Sequence, residues 1–429
     1  MKKNPKNMKS EKSFLSIEPN NVFFSSRAIK IYLLLILIFT TYWMYSKKVT
    51  EVVDVAIPIE EVVDVAIPVE EAVDTPRLIK EQYNVSLVVT SNVFAEYYDC
   101  GCPKAPLGGL ARKAFFFKNM MSERDPLLVD AGNTFFSHGV INPDGLRVNN
   151  KKYKAKNFVS ALELIGYEVV NIGSNDFKLG EVFLKEITSG SSINFLSANL
   201  YDKNTNSLLF EPYHITEEDG VKIGFIGLSE ATRYESIINK NFISEGSRYI
   251  DMIKPEVDII ILLVDISSSN GVDLSNAFPE ADYIFLSGVT KRTEPRSKQA
   301  QDGPPVYSTG IQGKHLSIVD IRIKDLNSAV KDVSAPFSRL QEIDFRLKQM
   351  QAKDPSKTLE EIYANQPNVI SLVTKYQKEA FELGQSLAKY GDRSIFFSVP
   401  LSPGIPDDKD VAGLIEKIAS NADFSFEKP

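Results

Sequence analysis

Between residues 84 and 325 the chain returns repeatedly to short, unbroken runs of Ile, Leu and Val, of which Asp258-Ile-Ile-Ile-Leu-Leu-Val-Asp265 is the purest. A strand covering one face of a core alternates apolar with polar residues. A run with no polar interruption is buried on both faces and needs a layer packed on each side. Runs of this kind predict strands at Val85–Thr90, Leu127–Val129, Val169–Ile172, Phe195–Ala198, Val221–Gly227, Val257–Val264, Tyr283–Leu286, Val306–Ser308 and Leu316–Ile323. Helical patterns fall between several of them, at Leu107–Met121, Phe158–Gly166, Glu181–Ile187 and Val272–Ala277. The alternation predicts a layered α/β domain.

At 429 residues, 43% hydrophobic and 24% charged, the chain can bury one main domain of roughly 250 residues and carry appendages. A net charge of −7 implies no basic face for nucleic acid once the N-terminal lysines are set aside. Only three histidines are present, His138, His214 and His315. Three scattered imidazoles cannot easily furnish a two-metal hydrolytic centre.

Residues 31–46 carry no charge and lie between Lys30 and Lys47-Lys48. As a helix these sixteen residues rise about 24 Å, and snorkelling lysines with the Tyr42-Trp43-Tyr45 end can make up the rest of a bilayer core. No small-x-small cleavage site directly follows, so an uncleaved signal anchor is favoured over a removed signal peptide or a buried core helix. Seven bases against two acids precede the run, whereas residues 51–76 carry eight acids and no base. That asymmetry leaves the N-terminus cytoplasmic and the remainder on the far side of the membrane, in the periplasm or outside the cell. Residues 51–76 also repeat with a ten-residue period, Glu-Val-Val-Asp-Val-Ala-Ile-Pro, broken at Pro58, Pro68 and Pro76. Like charges and prolines make this an extended spacer reaching at most about 75 Å, with strand addition to a partner's sheet as the alternative.

The stretch Gly166-Tyr-Glu-Val-Val-Asn-Ile-Gly-Ser-Asn-Asp-Phe177 reads as a helix stop on Gly166, a short strand and a sharp turn. It resembles the Gly-Asn-His-Glu-Phe-Asp corner of the calcineurin-like metallophosphoesterases, in particular their 5′-nucleotidase branch. Other segments resemble the same family in order: Leu87–Ala95 its Thr-Asn-Asp-x-His-Gly strand, Pro106–Arg112 its Gly-Gly-Leu-Ala-Arg helix start, and Leu127–Phe135 its Leu-Leu-Asp-Ala-Gly-Asp-Thr-Phe. Phe195–Leu200, Lys222–Leu228, Asp258–Asp265 and Asp282–Thr290 continue the likeness. The resemblance implies a four-layer α/β/β/α sandwich with two metal ions at the strand ends.

Every position where the family places a metal ligand or catalytic histidine reads differently in this chain. The first-strand Asp and His fall on Asn92 and Phe94, the bridging Asp on Asn133, the corner Asn and His on Ser174 and Asn175. The last three histidines fall on Asp265, Gly288 and Thr290. Neutral amides replace charge-compensating carboxylates, and Phe, Gly and Thr offer no imidazole. The expectation is therefore a vestigial site with no metal, cofactor or catalytic residue. A carboxylate-only Mg²⁺ or Ca²⁺ site drawing on Asp130, Asp176 and Asp265, with His138 in the loop five residues after Asn133, is the competing arrangement.

The only cysteines, Cys100 and Cys102, stand one residue apart in Asp99-Cys-Gly-Cys-Pro-Lys104. In an oxidising compartment they form either a small strained disulfide with redox capacity or a plain structural link. Toward the C-terminus, Leu340, Ile343, Leu347 and Met350 share one helical face, and Val369, Leu372, Val373, Tyr376, Ala380, Leu383 and Leu387 another. They predict a helical hairpin laid against the domain or a partner, followed by a strand at Ser394–Pro400 and a helix at Asp408–Ser420.

The expected organisation is a basic tail over residues 1–30, a transmembrane anchor over 31–46, a linker over 47–82, the phosphoesterase-like domain over 83–330 and the C-terminal hairpin with its closing strand and helix over 331–429. The expected function is a catalytically silent, exported scaffold bound to the membrane and to a protein partner in the cell envelope. A working phosphoesterase or nucleotidase with rearranged ligands is the alternative.

Overall fold

The computed structural model of the chain describes residues 82–136, 146–230, 234–300 and 302–421. The apolar segment 31–46, the repeat linker and His138 lie outside the described residues. No helix among the described residues is long and apolar enough to cross a membrane.

The first half runs β1 (Tyr83–Thr90), α1 (Leu110–Phe115), β2 (Leu127–Asp130), α2 (Leu146–Ile165), β3 (Tyr167–Asn171), α3 (Glu181–Thr188), β4 (Asn194–Leu196) and β5 (Leu200–Asp202). It continues with β6 (Tyr213–Glu218), β7 (Val221–Ser229), β8 (Ile237–Asn239), α4 (Phe242–Ile253), β9 (Ile259–Asp265), α5 (Leu274–Ala277), β10 (Tyr283–Ser287), β11 (Val306–Ser308) and β12 (His315–Ile323). The C-terminal part adds β13 (Lys331–Asp332), α6 (Ser334–Gln351), α7 (Leu359–Ile362), α8 (Pro367–Ala388), β14 (Arg393–Pro400) and α9 (Lys409–Ala419). All nine strands expected from apolar runs are present, with ends displaced by a residue or two in most cases. The structure adds β5, β6, β8 and α4 between them. Helix α1 is shorter than its pattern because the chain widens into a π turn at Phe116–Met120.

The strands form a seven-stranded sheet in the order β13-β14-β12-β1-β2-β3-β4 and a five-stranded sheet in the order β11-β10-β9-β7-β6. Strands β1 to β4 are mutually parallel, as are β7, β9, β10 and β11. The alternation of side chains along each strand then sorts the unbroken apolar runs onto two faces. Val85, Leu87 and Val89 of β1 meet Ile259, Ile261 and Leu263 of β9 and Ile223 and Phe225 of β7 in a core between the sheets. Val88 of β1 faces the other way, toward Phe158 and Leu162 of α2, Leu184 of α3 and Ile415 of α9. Ile260, Leu262 and Val264 of β9 face Tyr249, Ile250 and Ile253 of α4. The result is helix, sheet, sheet, helix, with every central strand covered on both sides.

The closing strand is part of this framework. β14 inserts between β12 and β13, and its Phe396 stacks on Tyr307 of β11 at a centroid distance of 4.2 Å and 4° between planes, inside the intersheet core. The hairpin expected in the C-terminal part is α6 and α8, tied by Arg339, which donates to both carboxylate oxygens of Glu379 at 2.7 and 2.9 Å. Phe337 of α6 meets Phe397 of β14 edge to face, so the hairpin leans on the sheet.

Candidate functional site

The parallel strands β1, β2, β3, β7, β9 and β10 all point their C-terminal ends to one edge of the sandwich, where an open α/β sheet presents its loops to a ligand. Six of the eight family-site positions singled out in the sequence converge there. Asn92 follows β1, Asn133 follows β2, Ser174 and Asn175 open a 3₁₀ turn after β3, Asp265 ends β9 and Gly288 follows β10.

The sheet register creates the centre of the site. Asp265 is paired across the ladder with Ser229 at the end of β7 and with Ser287 at the end of β10. Its carboxylate, 3% exposed, accepts from Ser287 Oγ (3.1 Å) and Asn133 Nδ2 (2.7 Å) on one oxygen. The other oxygen accepts from the Ser174 backbone N–H (2.6 Å) and Ser229 Oγ (3.3 Å). Four donors fill the capacity of a carboxylate.

The two amides complete the network. Asn133 Nδ2 also donates to Asn92 Oδ1 at 3.2 Å, and Asn133 Oδ1 accepts the Asn175 N–H at 3.0 Å. Asn92 Oδ1 accepts the Gly288 N–H at 2.9 Å, while Asn92 Nδ2 donates to the carbonyls of Gly310 (2.9 Å) and Val289 (3.1 Å). Both amides are fully buried. Phe94 is half-buried and joins through its backbone, whose N–H donates to the Asn133 carbonyl at 3.3 Å. Thr290 is exposed and stands outside the network.

The loops that carry these residues are held in uncommon backbone shapes. Asn92, Phe94, Ala95 and Asn133 all have φ between 50° and 58°, in the left-handed region. For Asn this is a tolerated conformation, because its short polar side chain bonds locally; for Phe it costs more and persists only where neighbours over-determine it. Those neighbours are the hydrogen bonds from Asn92 N to Gly132 O (2.9 Å) and from Ala95 N to Thr134 O (2.7 Å), which join the β1 and β2 loops.

Asp176 and Asp130 occupy positions beneath this layer. Asp176 accepts backbone N–H groups from Phe135 (2.8 Å), Gly173 (2.9 Å) and Asn133 (3.1 Å) and so fixes the β2 and β3 loops to each other. Burial pushes its carboxyl up to about 8 against those donors, with Asp130 and Asp265 adding repulsion. Asp130 is held by Thr90 Oγ1 (2.6 Å), Thr134 Oγ1 (2.8 Å) and the Gly132 N–H (2.9 Å). Burial raises it too, while the buried Lys113 works the other way. Lys113 reaches Tyr167 Oη at 3.2 Å, which in turn contacts Thr90 Oγ1 at 2.9 Å; burial draws the amine down to about 8.

The residues present do not fit a pair of divalent cations. The oxygens of Asn92 and Asn133 are turned to backbone N–H groups, and among the described residues Asp265 is the carboxylate bonded into the centre. A dinuclear centre takes several anionic or imidazole donors at once. The described histidines lie elsewhere, His214 beside Glu168 at 3.3 Å and His315 at the start of β12. Among the described residues no group of three or more His, Cys, Asp or Glu side chains is arranged to hold a metal ion. Asp130 and Asp176, weighed above as carboxylate ligands, have their oxygens engaged by their own loops. At Gly288, φ is +77° and an added Cβ would lie 2.3 Å from the Ile266 carbonyl oxygen, so no side chain projects from this position in the observed backbone.

Ser229 and Ser287 escaped the sequence reading, although each is the polar residue that ends an unbroken apolar run. That is the place where a parallel strand meets the ligand edge. The cysteines lie in the β1–α1 loop, close together at the surface and apart from the amide network.

Comparison with known proteins agrees with this framework. No profile of a known protein family matches the chain. The 2′,3′-cyclic-nucleotide 2′-phosphodiesterase/3′-nucleotidase of Salmonella typhimurium is 26% identical over 203 residues, 38% of this chain and 31% of that protein. Among solved structures, the calcineurin-like phosphoesterase YfkN of Bacillus subtilis superposes with a TM-score of 0.55 at 16% identity, over 79% of this chain and 98% of that one. The 5′-nucleotidase precursor of Thermus thermophilus gives a TM-score of 0.52 at 15% identity, over 79% of this chain and 58% of that one. The chain thus spans about a third of the length of the Salmonella relative. Its fold is that of the calcineurin-like phosphoesterases, and its sequence relatives lie in their 5′-nucleotidase branch.

Proposed function

We propose that the chain is a non-hydrolytic member of this fold, exported and anchored by residues 31–46, which presents the sandwich to another component of the cell envelope. The observation that carries the reading is the internal use of three strand-end side chains: Asn92, Asn133 and Asp265 spend their hydrogen-bonding capacity on one another and on the surrounding backbone. A phosphate ester entering this layer would meet neither a Lewis acid nor an activated water. The anchor rests on the uncharged run between Lys30 and Lys47 and on the charge asymmetry around it.

The test uses the detergent-solubilised full chain. Elemental analysis after dialysis against Mn²⁺, Zn²⁺ and Ca²⁺ is expected to find no stoichiometric metal, and AMP, 2′,3′-cyclic AMP and bis-p-nitrophenyl phosphate are expected to remain intact. Two retained equivalents of metal together with hydrolysis of any of these would overturn the proposal. Membrane attachment is read by resistance to alkaline carbonate extraction, and the partner by crosslinking in intact cells before solubilisation.

A second reading, a working metal-dependent phosphoesterase, draws on the activity for which the Salmonella relative is named and on the left-handed loop backbone at Asn92, Phe94 and Asn133. Metal content separates the two, because the second reading requires cations to displace the amide network.

A further inference from the structure

The β1–α1 loop carries chemistry that the strand-end network does not use. Cys100 and Cys102 are both free thiols, the first half-buried and the second exposed, and their sulfurs lie 2.7 Å apart. The two thiols are therefore direct neighbours, within reach of one another. The loop is fastened at both ends. Asp99 bridges to Gly108, and the Cys100 N–H donates to the Leu107 carbonyl at 2.9 Å. The Arg112 guanidinium donates to the carbonyls of Pro106 (3.0 Å), Gly108 (2.7 Å) and Leu401 (3.1 Å), fastening the loop to the segment after β14. Between the cysteines, Gly101 takes φ +62° and its N–H donates to Asp99 Oδ1 at 3.0 Å, which turns the two side chains toward the same side. A left-handed residue here is easiest for glycine.

The two sulfurs are unlike. The N–H groups of Cys102 and Leu107 and the Cys102 thiol face Cys100 Sγ, and the Lys314 ammonium lies nearby. Cys102 has Asp99 among its neighbours, though Lys314 reaches it as well. Burial opposes the Cys100 thiolate, yet the hydrogen bonds and Lys314 outweigh it and its thiol lies below the ordinary range; the hydrogen bond with Cys100 leaves the Cys102 thiol above it. Thiolate character together with access is what makes a cysteine an attacking group.

We propose that Cys100 and Cys102 form a thiol–disulfide exchange site acting on disulfides of other chains, with Cys100 attacking and Cys102 resolving. The Cys100 thiolate attacks one sulfur of a disulfide R–S–S–R′. A Cys100–S–R bond forms, the original S–S bond breaks, and R′–S⁻ leaves with the electron pair and takes up a proton. Deprotonated Cys102 then attacks Cys100 Sγ, the Cys100–Cys102 bond forms and R–S⁻ leaves. The site loses two electrons and two protons, and the substrate disulfide becomes two thiols. The small ring formed is strained and reducible, so a dithiol on another chain reverses the sequence and regains a disulfide.

The experiment takes the reduced full chain in detergent, adds oxidised glutathione, quenches with acid and reads the intact mass. Wild type is expected to yield a product lighter by two hydrogens with no lasting glutathione adduct. Cys102→Ser is expected to accumulate one glutathione, because the resolving thiol is missing, and Cys100→Ser to react about tenfold more slowly. Thermal melts of both variants matching wild type exclude a folding defect as the cause. Wild type ending with two glutathiones, equal rates for the two single variants, or a pair isolated as a disulfide that resists excess reduced glutathione would each overturn the proposal. None of these outcomes touches the strand-end site.

Discussion

The strand-end network makes a sharp prediction for Asn133→Asp, a nearly isosteric exchange at a position with no solvent contact. The amide donates to Asp265 Oδ1 at 2.7 Å and to Asn92 Oδ1 at 3.2 Å. An ionised carboxylate there removes both donors and sets two like charges in contact, so one of the pair stays protonated instead. The protonated form can still donate to Asp265, which caps the cost. With an unfolded value near 3.9 and about 1.36 kcal/mol per pH unit, holding that proton costs at most about 1.5 kcal/mol at pH 5 and about 5.6 kcal/mol at pH 8. The introduced group has its folded value raised, so the folded state binds the extra proton and stability falls as pH rises above 4. Relative to wild type, the variant should therefore lose about 3 to 4 kcal/mol more at pH 8 than at pH 5. For a folded unit reaching from Gln82 to Asn421, an unfolding entropy of about 2.1 cal/mol/K per residue translates this into a further drop of roughly 4 to 6 °C in Tm. Far-UV circular dichroism melts at the two pH values, wild type beside variant, measure it. A variant whose Tm tracks wild type in parallel from pH 5 to pH 8 would refute the idea that Asp265 and Asn133 share one desolvated hydrogen bond.

Three further outcomes follow from other parts of the fold. Burial raises Asp176 to about 8, so between pH 4 and pH 8 the folded state holds a proton that the unfolded chain releases, and stability declines as pH rises; Asp176→Asn should flatten this decline, and a pH series of melts with parallel curves would contradict it. Gly288→Ala forces a Cβ against the Ile266 carbonyl at φ +77° and displaces the N–H that Asn92 accepts; the expected loss is about 2 to 4 kcal/mol, read as a lower urea midpoint, and an unchanged midpoint counts against the geometry. Phe396→Ala removes the ring stacked on Tyr307 between the sheets and should cost about 3 to 5 kcal/mol, the same measurement showing whether β14 is an integral strand.

The sequence made the framework legible because burial on both faces leaves a mark that needs no partner to interpret. A run such as Ile259–Val264 has no polar position to spare, and the two cores it separates follow from alternation alone. The strands and helix that stayed hidden carry weaker marks. β6, Tyr213–Glu218, is an edge strand with polar residues along its length, and β5 and β8 are three residues each. The widening of α1 at Phe116–Met120 depends on how the ring residues settle into the core, which helical periodicity does not encode. At the site, positions Asn92, Asn133 and Asp265 could be placed by the family resemblance of the segments that carry them, yet their mutual bonding could not. That Asp265 sits opposite Ser229 and Ser287 is a property of strand register, fixed by packing across residues distant in the chain.

The network also explains why its members form a set. Ionised carboxylates at the positions of Asn92 and Asn133 would repel each other across 3.2 Å, and the one at 133 would repel Asp265 across 2.7 Å, so without positive charge between them they would hold protons instead. Asn at both positions keeps the left-handed backbone accessible, because Asn and Asp share that tolerance, and at position 133 it turns a donor toward Asp265 and toward Asn92 Oδ1. Asp265 then needs donors on every side, and Ser229, Ser287, the Ser174 N–H and Asn133 supply them. Gly288, in turn, gives the N–H that Asn92 Oδ1 accepts only because its own backbone turns where a side chain would strike Ile266. Each residue is acceptable because of the others, so an ionised carboxylate introduced at Asn92 or Asn133 alone is uphill in free energy, and the cost grows with pH as the proton that relieves it becomes harder to hold.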